Sequence, residues 1–251
     1  MSKPEHHSLK FTPDWRATTL VIILLPILVL LGFWQLERAT EKSQLQALYQ
    51  QRQQGGVLAI EQLFDRTDVD YQPVKMRGRY LNDKAILLDN RIFHGRFGYE
   101  IITPFQLSSN AYIVMINRGW LAADSARRSL PAIQAVSGEV ELSGEVYVPQ
   151  GEMMKLGVEA VKPWPRVVQS IDITELAADF DLPIYPYTVR LAEHYPGSYQ
   201  ANWQLVNLQP SKHIGYAVQW FAMSFTLVLI ALLANTNIWA WLKAKKLIRK
   251  K

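Results

Sequence analysis

The sequence predicts an α+β membrane protein: two transmembrane helices flanking a mainly antiparallel β extramembrane domain, a small sheet or barrel. Three observations carry that expectation. Two stretches, one near each end, hold no charged residue at all. The segment between them breaks into short runs rich in Val, Ile and Tyr, bounded by Gly, Pro, Asn and Asp. The excess positive charge sits in the tails rather than in the segment that would fold in water.

The first element is a tail, residues 1–16, with a net charge of +1 and with His6 and His7 in it. Residues 17–36 follow, without a charge. Twenty helical residues cover roughly 30 Å, the thickness of the hydrocarbon core of a bilayer. Pro26 is tolerable inside a membrane helix. Trp15 and Trp34 mark the two ends, where interfacial aromatics belong. A cleaved signal peptide has a shorter apolar core and small residues at its cleavage site. Here Phe33-Trp34-Gln35 is bulky, so the segment reads as an uncleaved anchor. The second span is read over 214–242, with Trp220–Leu233 its most apolar part and Trp239 and Trp241 at the far interface. Its length suits a tilted helix.

Orientation follows from the tail 243–251, which holds six Lys and Arg and no acid. Basic residues beside a span stay in the cytoplasm. Two spans then place both tails there and carry residues 37–212 across. No Arg-rich, acid-poor transit segment precedes the first span. The simplest location is a bacterial cell inner membrane with a multi-pass chain and a periplasmic central domain. The mitochondrial inner membrane is the alternative.

Within 37–212, residues 35–54 lack Gly and Pro and read as a helical continuation of the first span, ended by Gly55-Gly56. Residues 57–209 read as β-rich. Strands are expected at Val74–Tyr80, Ala85–Leu88, Tyr99–Thr103, Tyr112–Ile116, Glu139–Val148, Arg166–Ile171 and Tyr187–Leu191. Gly144 is a candidate bulge. Asp172–Phe180 reads as a short helix, with Asp172 or Thr174 to cap it.

Several function classes are excluded by composition. There is no Cys, so disulfides, thiolate metal sites and a catalytic thiol are ruled out. The two tails carry +1 and +6 of the net +5, which leaves −2 on everything between. A nucleic-acid binder carries its basic surface on the folded domain, so nucleic acid is not an expected partner. No Gly-rich phosphate loop, Gly-x-Ser-x-Gly elbow or His-Glu-x-x-His is present. The spans also lack the buried charges of a transport pathway. The expectation is a protein that is not an enzyme.

A series of short motifs runs in a fixed order. Gly32-Phe33-Trp34-Gln35-Leu36-Glu37-Arg38 closes the first span, with Lys42 four residues on. Then come Gly78-Arg79-Tyr80, Asp89-Asn90-Arg91, Gly98-Tyr99, Thr103-Pro104-Phe105 and Asn117-Arg118-Gly119-Trp120. His213-Ile214-Gly215-Tyr216-Ala217-Val218-Gln219-Trp220-Phe221 opens the second span. This series, framed by two spans, resembles the Surfeit locus protein family over about Leu31 to Phe225. Where family members often have an Asn shortly before the second-span His, this chain has Ser211-Lys212. The resemblance implies an assembly factor, or chaperone, for haem-copper cytochrome c oxidase, complex IV of the respiratory chain. It implies haem a as transient cargo, and subunit one of the oxidase, haem A synthase and the lipid bilayer as partners. The other reading is a membrane-anchored scaffold for oxidase subunits that never touches haem.

His213, Tyr216, Trp220, Trp34 and Arg38 are the candidate site. Imidazole is a good axial ligand for haem iron. His213, Tyr216 and Trp220 recur at helical spacing and so share a face. The farnesyl tail that the family association assigns to haem a favours a site at lipid level. Arg38, with Lys42, is placed to pair with propionates or with acidic residues of a partner. The structural alternatives are a His that starts a helix in the headgroup region and cations that anchor a helix among lipid phosphates. For Arg118 and Arg91 the structural reading is the stronger one: an Arg can satisfy several carbonyls at once. His94 and His194 read as solvated loop residues.

Overall fold

The two uncharged stretches lie in the two longest helices of the computed structural model, which describes residues 11–12, 14–124, 128–149, 163–203, 209–238 and 241. The tails 1–10 and 243–251, with their His and Lys/Arg residues, and Trp239 lie outside the described residues. The chain divides into two compact units. One takes residues 1–46 and 207–251, the other 47–206.

The first unit is built from two helices. Helix α1 runs unbroken from Trp15 to Gln54, through both the expected span and its expected continuation. Its 40 residues extend about 60 Å, twice what the hydrocarbon core requires. Asp14 precedes it, and its Oδ1 accepts the Arg16 N–H at 2.8 Å. The span expected over 214–242 is helical over Pro210–Asn235, with Pro210 in the first turn, where its missing N–H costs nothing. Thr236 is extended (φ −136°, ψ 155°), so the helix ends there. The segment before α1 meets that end: Thr12 N donates to Asn235 O, and Asp14 N to Asn235 Oδ1, both at 2.9 Å. Gly32, Gln35 and Ala39 are the buried residues of one helix, and Ala217, Ser224 and Asn235 those of the other. The exposed remainder includes Leu20, Ile22, Ile27, Leu30, Val218, Phe225 and Ile230, the apolar surface that a bilayer demands.

The second unit is β-rich. Its strands are β1 (Leu58–Ala59), β2 (Pro73–Tyr80), β3 (Ile86–Phe93), β4 (Arg96–Leu107), β5 (Ile113–Ala122), β6 (Val140–Tyr147), β7 (Arg166–Val168) and β8 (Ile184–Leu191). The order across the sheet is β1-β2-β6-β8-β5-β4-β3-β7, and β2 also pairs with β4. That last pairing, Gly78↔Leu107 to Tyr80↔Phe105, closes β2, β6, β8, β5 and β4 into a barrel. Most neighbours are antiparallel; β1–β2, β3–β7 and β5–β8 are parallel. The α+β membrane fold is therefore the one the sequence predicts, with the sheet closed into a barrel.

Alternation along the strands explains the core. Val74, Met76 and Tyr80 of β2 point inward with Leu142 and Val146 of β6, and Lys75, Arg77 and Arg79 point outward. Strand β5 is buried on both faces because its alternate residues serve two clusters. Val114 and Ile116 enter the barrel, whereas Ile113 and Met115 pack outside it with Ile86, Ile102 and Leu176. That outer cluster lies under the short helix α2 (Ile173–Leu176). Asp172 is its cap, accepting from Thr174 N at 3.0 Å and Glu175 N at 3.3 Å.

Two local expectations are corrected. Gly144 is not a bulge: it pairs in register with Val74 and with Leu191. Its role is close approach, since a Cβ there would sit 2.3 Å from Arg190 O. Strands β3 and β4 outrun the expected 85–88 and 99–103, because His94-Gly95, both with positive φ, turn them into one hairpin.

Candidate functional site

The polar contact that matters most lies near the start of the second long helix. On α3 (Pro210–Asn235), His213 is half-buried and Ala217 and Ser224 are buried, all on one helix face. On α1, Gly32, Gln35 and Ala39 form the matching stripe. Gly32 is what lets the helices meet: a Cβ there would fall 2.6 Å from the Phe221 ring. Phe33 and Phe221 meet edge to face, with ring centroids 5.4 Å apart. One turn further along α1, Gln35 Oε1 lies 2.8 Å from His213 Nδ1.

That contact has a chemical consequence. A carbonyl oxygen only accepts, so Nδ1 is the donor. In the neutral ring His213 Nε2 then carries the lone pair, and it has no hydrogen-bond partner among the described residues. An imidazole whose Nδ1–H is held by a carbonyl, with Nε2 free, is the usual form of a metal-binding histidine.

The other candidates are distributed around this contact. Trp220 is half-buried on the same α3 face. Tyr216 is 51% exposed and stands off the contact stripe. Trp34 is likewise turned outward, and Arg38 lies 5.9 Å from its ring centre. Arg38 also pairs with Glu41, one turn along the same helix, at 2.7 Å. His213 and Gln35 are thus brought together, with Tyr216, Trp34 and Arg38 as an exposed aromatic and cationic fringe. Gln35 appears in the sequence motif but not among the candidates. The available signal was an amide placed between Gly32 and Ala39 at helical spacing in an otherwise apolar run.

The motifs of the β unit converge on a separate centre. Arg118 is 1% exposed. Its Nε donates to Gly197 O and its Nη2 to Gln134 O, both at 2.7 Å, and Nη1 reaches Thr103 Oγ1 at 3.4 Å. Its guanidinium lies between the rings of Tyr80 and Tyr199, at 5.1 and 4.9 Å. Burial pushes the Arg118 guanidinium below its ordinary value and the Tyr80 phenol above its own. Asn117 Nδ2 donates to Glu100 Oε2 at 2.7 Å, and Trp120 Nε1 to Arg91 O at 3.0 Å. Gly98 lies against the Trp120 ring, 2.5 Å from where a Cβ would stand. These residues tie loops to strands, and Tyr80 also lines a cleft of about 750 Å³ together with Arg79, Asn82, Gln106 and Glu139.

A cleft of about 430 Å³ lies elsewhere on the β unit, lined by Tyr49, Gln53, Glu145, Arg190 and Trp203 among others. Glu145 and Arg190 are direct cross-strand partners on β6 and β8. Gln53 Nε2 donates to Glu145 Oε2 at 2.8 Å. Burial pushes the Glu145 carboxyl up to about 7, with Asp70 adding to the rise while Arg190, Gln53 and Tyr49 oppose it.

Comparison with known proteins gives this geometry its family. Residues 22–225 match the model of the SURF1 family. The chain belongs to the SURF1 family. Among its relatives is a SURF1-like protein of Drosophila melanogaster, 31% identical over 77% of this chain and 69% of the relative. A SURF1-like protein of Rickettsia felis is 25% identical over 89% of this chain and 98% of its own length. Surfeit locus protein 1 of Xenopus tropicalis is 24% identical over 92% and 76%. The match takes in both Gln35 and His213.

Proposed function

We propose that this SURF1-family chain is an assembly factor for haem-copper cytochrome c oxidase, receiving haem a at the outer end of its helix pair and presenting it to subunit one. The observation that carries this reading is His213: its Nδ1 is engaged by Gln35 at 2.8 Å, and its Nε2 has no partner among the described residues. The donor set fits the group. Nε2 would be the ligand to iron, the one bond the cargo supplies chemistry for. Trp220, on the same helix face, and the exposed rings of Tyr216 and Trp34 would offer flat apolar surface, and Arg38 would offer a guanidinium for propionate oxygens. The chain's own work is to bind, to orient and to shield a hydrophobic, reactive cofactor until its acceptor is ready. Haem A synthase, as the source of that cofactor, is the expected donor partner. The cargo is bound and released without chemical change in this scheme, so the role is not enzymatic. The membrane is the bacterial inner membrane in this reading, with the β unit on the side away from the cytoplasm.

The same contact supports a second reading. An interhelical Gln–His hydrogen bond is also a polar pin between two membrane helices, which a scaffold without cargo would need equally. The experiment that separates them is purification of the full chain, wild type and His213→Ala, from a strain that makes haem a. Haem delivery predicts a Soret band with a low-spin signature in the wild type and its loss in the variant. Equal absorbance from both proteins puts the scaffold reading ahead. A deletion strain should in either case show reduced oxidase activity. Reduced haem a content in the residual oxidase is expected only for delivery.

A further inference from the structure

Gln35 is 9% exposed, in a stretch of helix whose neighbours at helical spacing are Gly32 and Ala39. A primary amide buried among apolar groups is costly unless it is hydrogen-bonded. Its partner among the described residues is His213, through the carbonyl oxygen. Helix packing alone does not call for such a group. Gly32 already sits against the Phe221 ring, and Ala39, Ala217 and Ser224 are small and buried. Interhelical hydrogen bonds within membranes average only about 0.6 kcal/mol, a small part of what holds such a pair. The consequence for the ring is larger. Without an acceptor at Nδ1, an imidazole turns about its own bond and exchanges tautomers, so either nitrogen is presented. With the acceptor, one orientation and one proton position are selected.

We propose that Gln35 is the positioning residue of His213, holding the Nδ1–H and so fixing Nε2 as the atom offered to iron. This rests on the haem-binding reading above, and names the residue that tunes it. Loss of the carbonyl that orients a ligating His typically weakens metal affinity 10–100-fold. An anionic acceptor at Nδ1 makes the imidazole more electron-rich, which stabilises ferric over ferrous iron and lowers the reduction potential.

The test uses the full chain in detergent micelles, titrated with ferric protoporphyrin IX and followed by the Soret band, by low-spin electron paramagnetic resonance and by redox titration. Gln35→Leu should weaken binding 10–100-fold. Gln35→Glu keeps an acceptor and lacks any donor, so it should bind within a few-fold of wild type with a lower reduction potential. His213→Ala should lose the low-spin signal. Should Gln35→Leu fail to fold, the potential of Gln35→Glu decides alone. Wild-type affinity in Gln35→Leu, or an unchanged potential in Gln35→Glu, overturns the positioning role while the loss in His213→Ala keeps haem binding standing. Wild-type binding by His213→Ala overturns the ligand assignment itself, and the role of Gln35 with it.

Discussion

Arg118 shows how a charged side chain can be fully buried in a β-rich unit. Each of its three nitrogens points at a different acceptor, two of them main-chain carbonyls on loops that no ladder reaches. Arg118→Met would remove those donors and leave Gly197 O and Gln134 O without them. The expected cost is about 3 kcal/mol, read as a lower midpoint in denaturant titration of the detergent-solubilised chain. Arg118→Lys should recover little, because one ammonium cannot span carbonyls that Nε and Nη2 serve separately. Glu145 presents the opposite balance. Its carboxyl, ordinarily near 4.5, is raised to about 7 by burial in its cleft. Below the ordinary value both folded and unfolded chains hold the proton, and the site costs nothing. Between that value and about 7 the folded chain keeps a proton that the unfolded chain has released, so stability falls as pH rises. Glu145→Gln should therefore match wild type near pH 4.5 and exceed it at pH 8, by about 1 kcal/mol once solvent screening of this half-exposed group is allowed for. Thermal midpoints of the two proteins at both pH values check the sign.

At the scale of elements, close approach is what the glycines and small residues provide. Gly32 brings α1 against Phe221, and a β-branched side chain there has no room. Gly32→Ile is expected to destabilise the helix pair by about 1–3 kcal/mol, with Phe221→Ala restoring much of the loss in the double variant. Thermal denaturation in detergent, as a double-mutant cycle, measures the coupling. Element identity was legible in the sequence wherever one period dominated. The alternation of Val74–Tyr80 and the uncharged run of 17–36 declare strand and span directly. The strand expected over 85–88 stops short because Asp89 and Asn90 are residue types that bound strands. In the structure its ladder irregularity lies between Leu88 and Arg91, and pairing resumes beyond it. The closure of β2 onto β4 left no mark, since register between distant strands is set by packing and not by local pattern. His213 was legible as a candidate because imidazole in an apolar helix is conspicuous. Gln35 was not, because an amide has no such distinction until its neighbour is known. The pairing of Arg38 with Glu41 was equally open to local reading, as two charges three residues apart on one helix.

For the whole molecule, charge and hydrophobic thickness set the topology. Each of the two helices is long and apolar enough to cross a bilayer once. In the proposed topology two crossings return the chain to the side on which it started, which would put both tails in one compartment and residues 37–212 in the other. The six Lys and Arg of 243–251 are the strongest asymmetry available, and short basic segments beside a span resist translocation. The connecting segment, 176 residues long, is beyond the length over which loop charge governs translocation, so its own arginines do not oppose this orientation. Alkaline phosphatase folds into an active enzyme only outside the cytoplasm. Fusions at either terminus are expected to be inactive and a fusion after Gln54 active, with a cytoplasmic reporter giving the reverse pattern. Activity at either terminus would invert the orientation. It would also put His213, near the start of the second span, at the cytoplasmic face and remove the compartment in which delivery is proposed. Replacing Lys245, Lys246, Lys250 and Lys251 together by Gln should weaken the asymmetry and produce a mixed population of orientations. That outcome ties the topology to the tail charge itself and not to the hydrophobicity of the spans, which the four substitutions leave untouched.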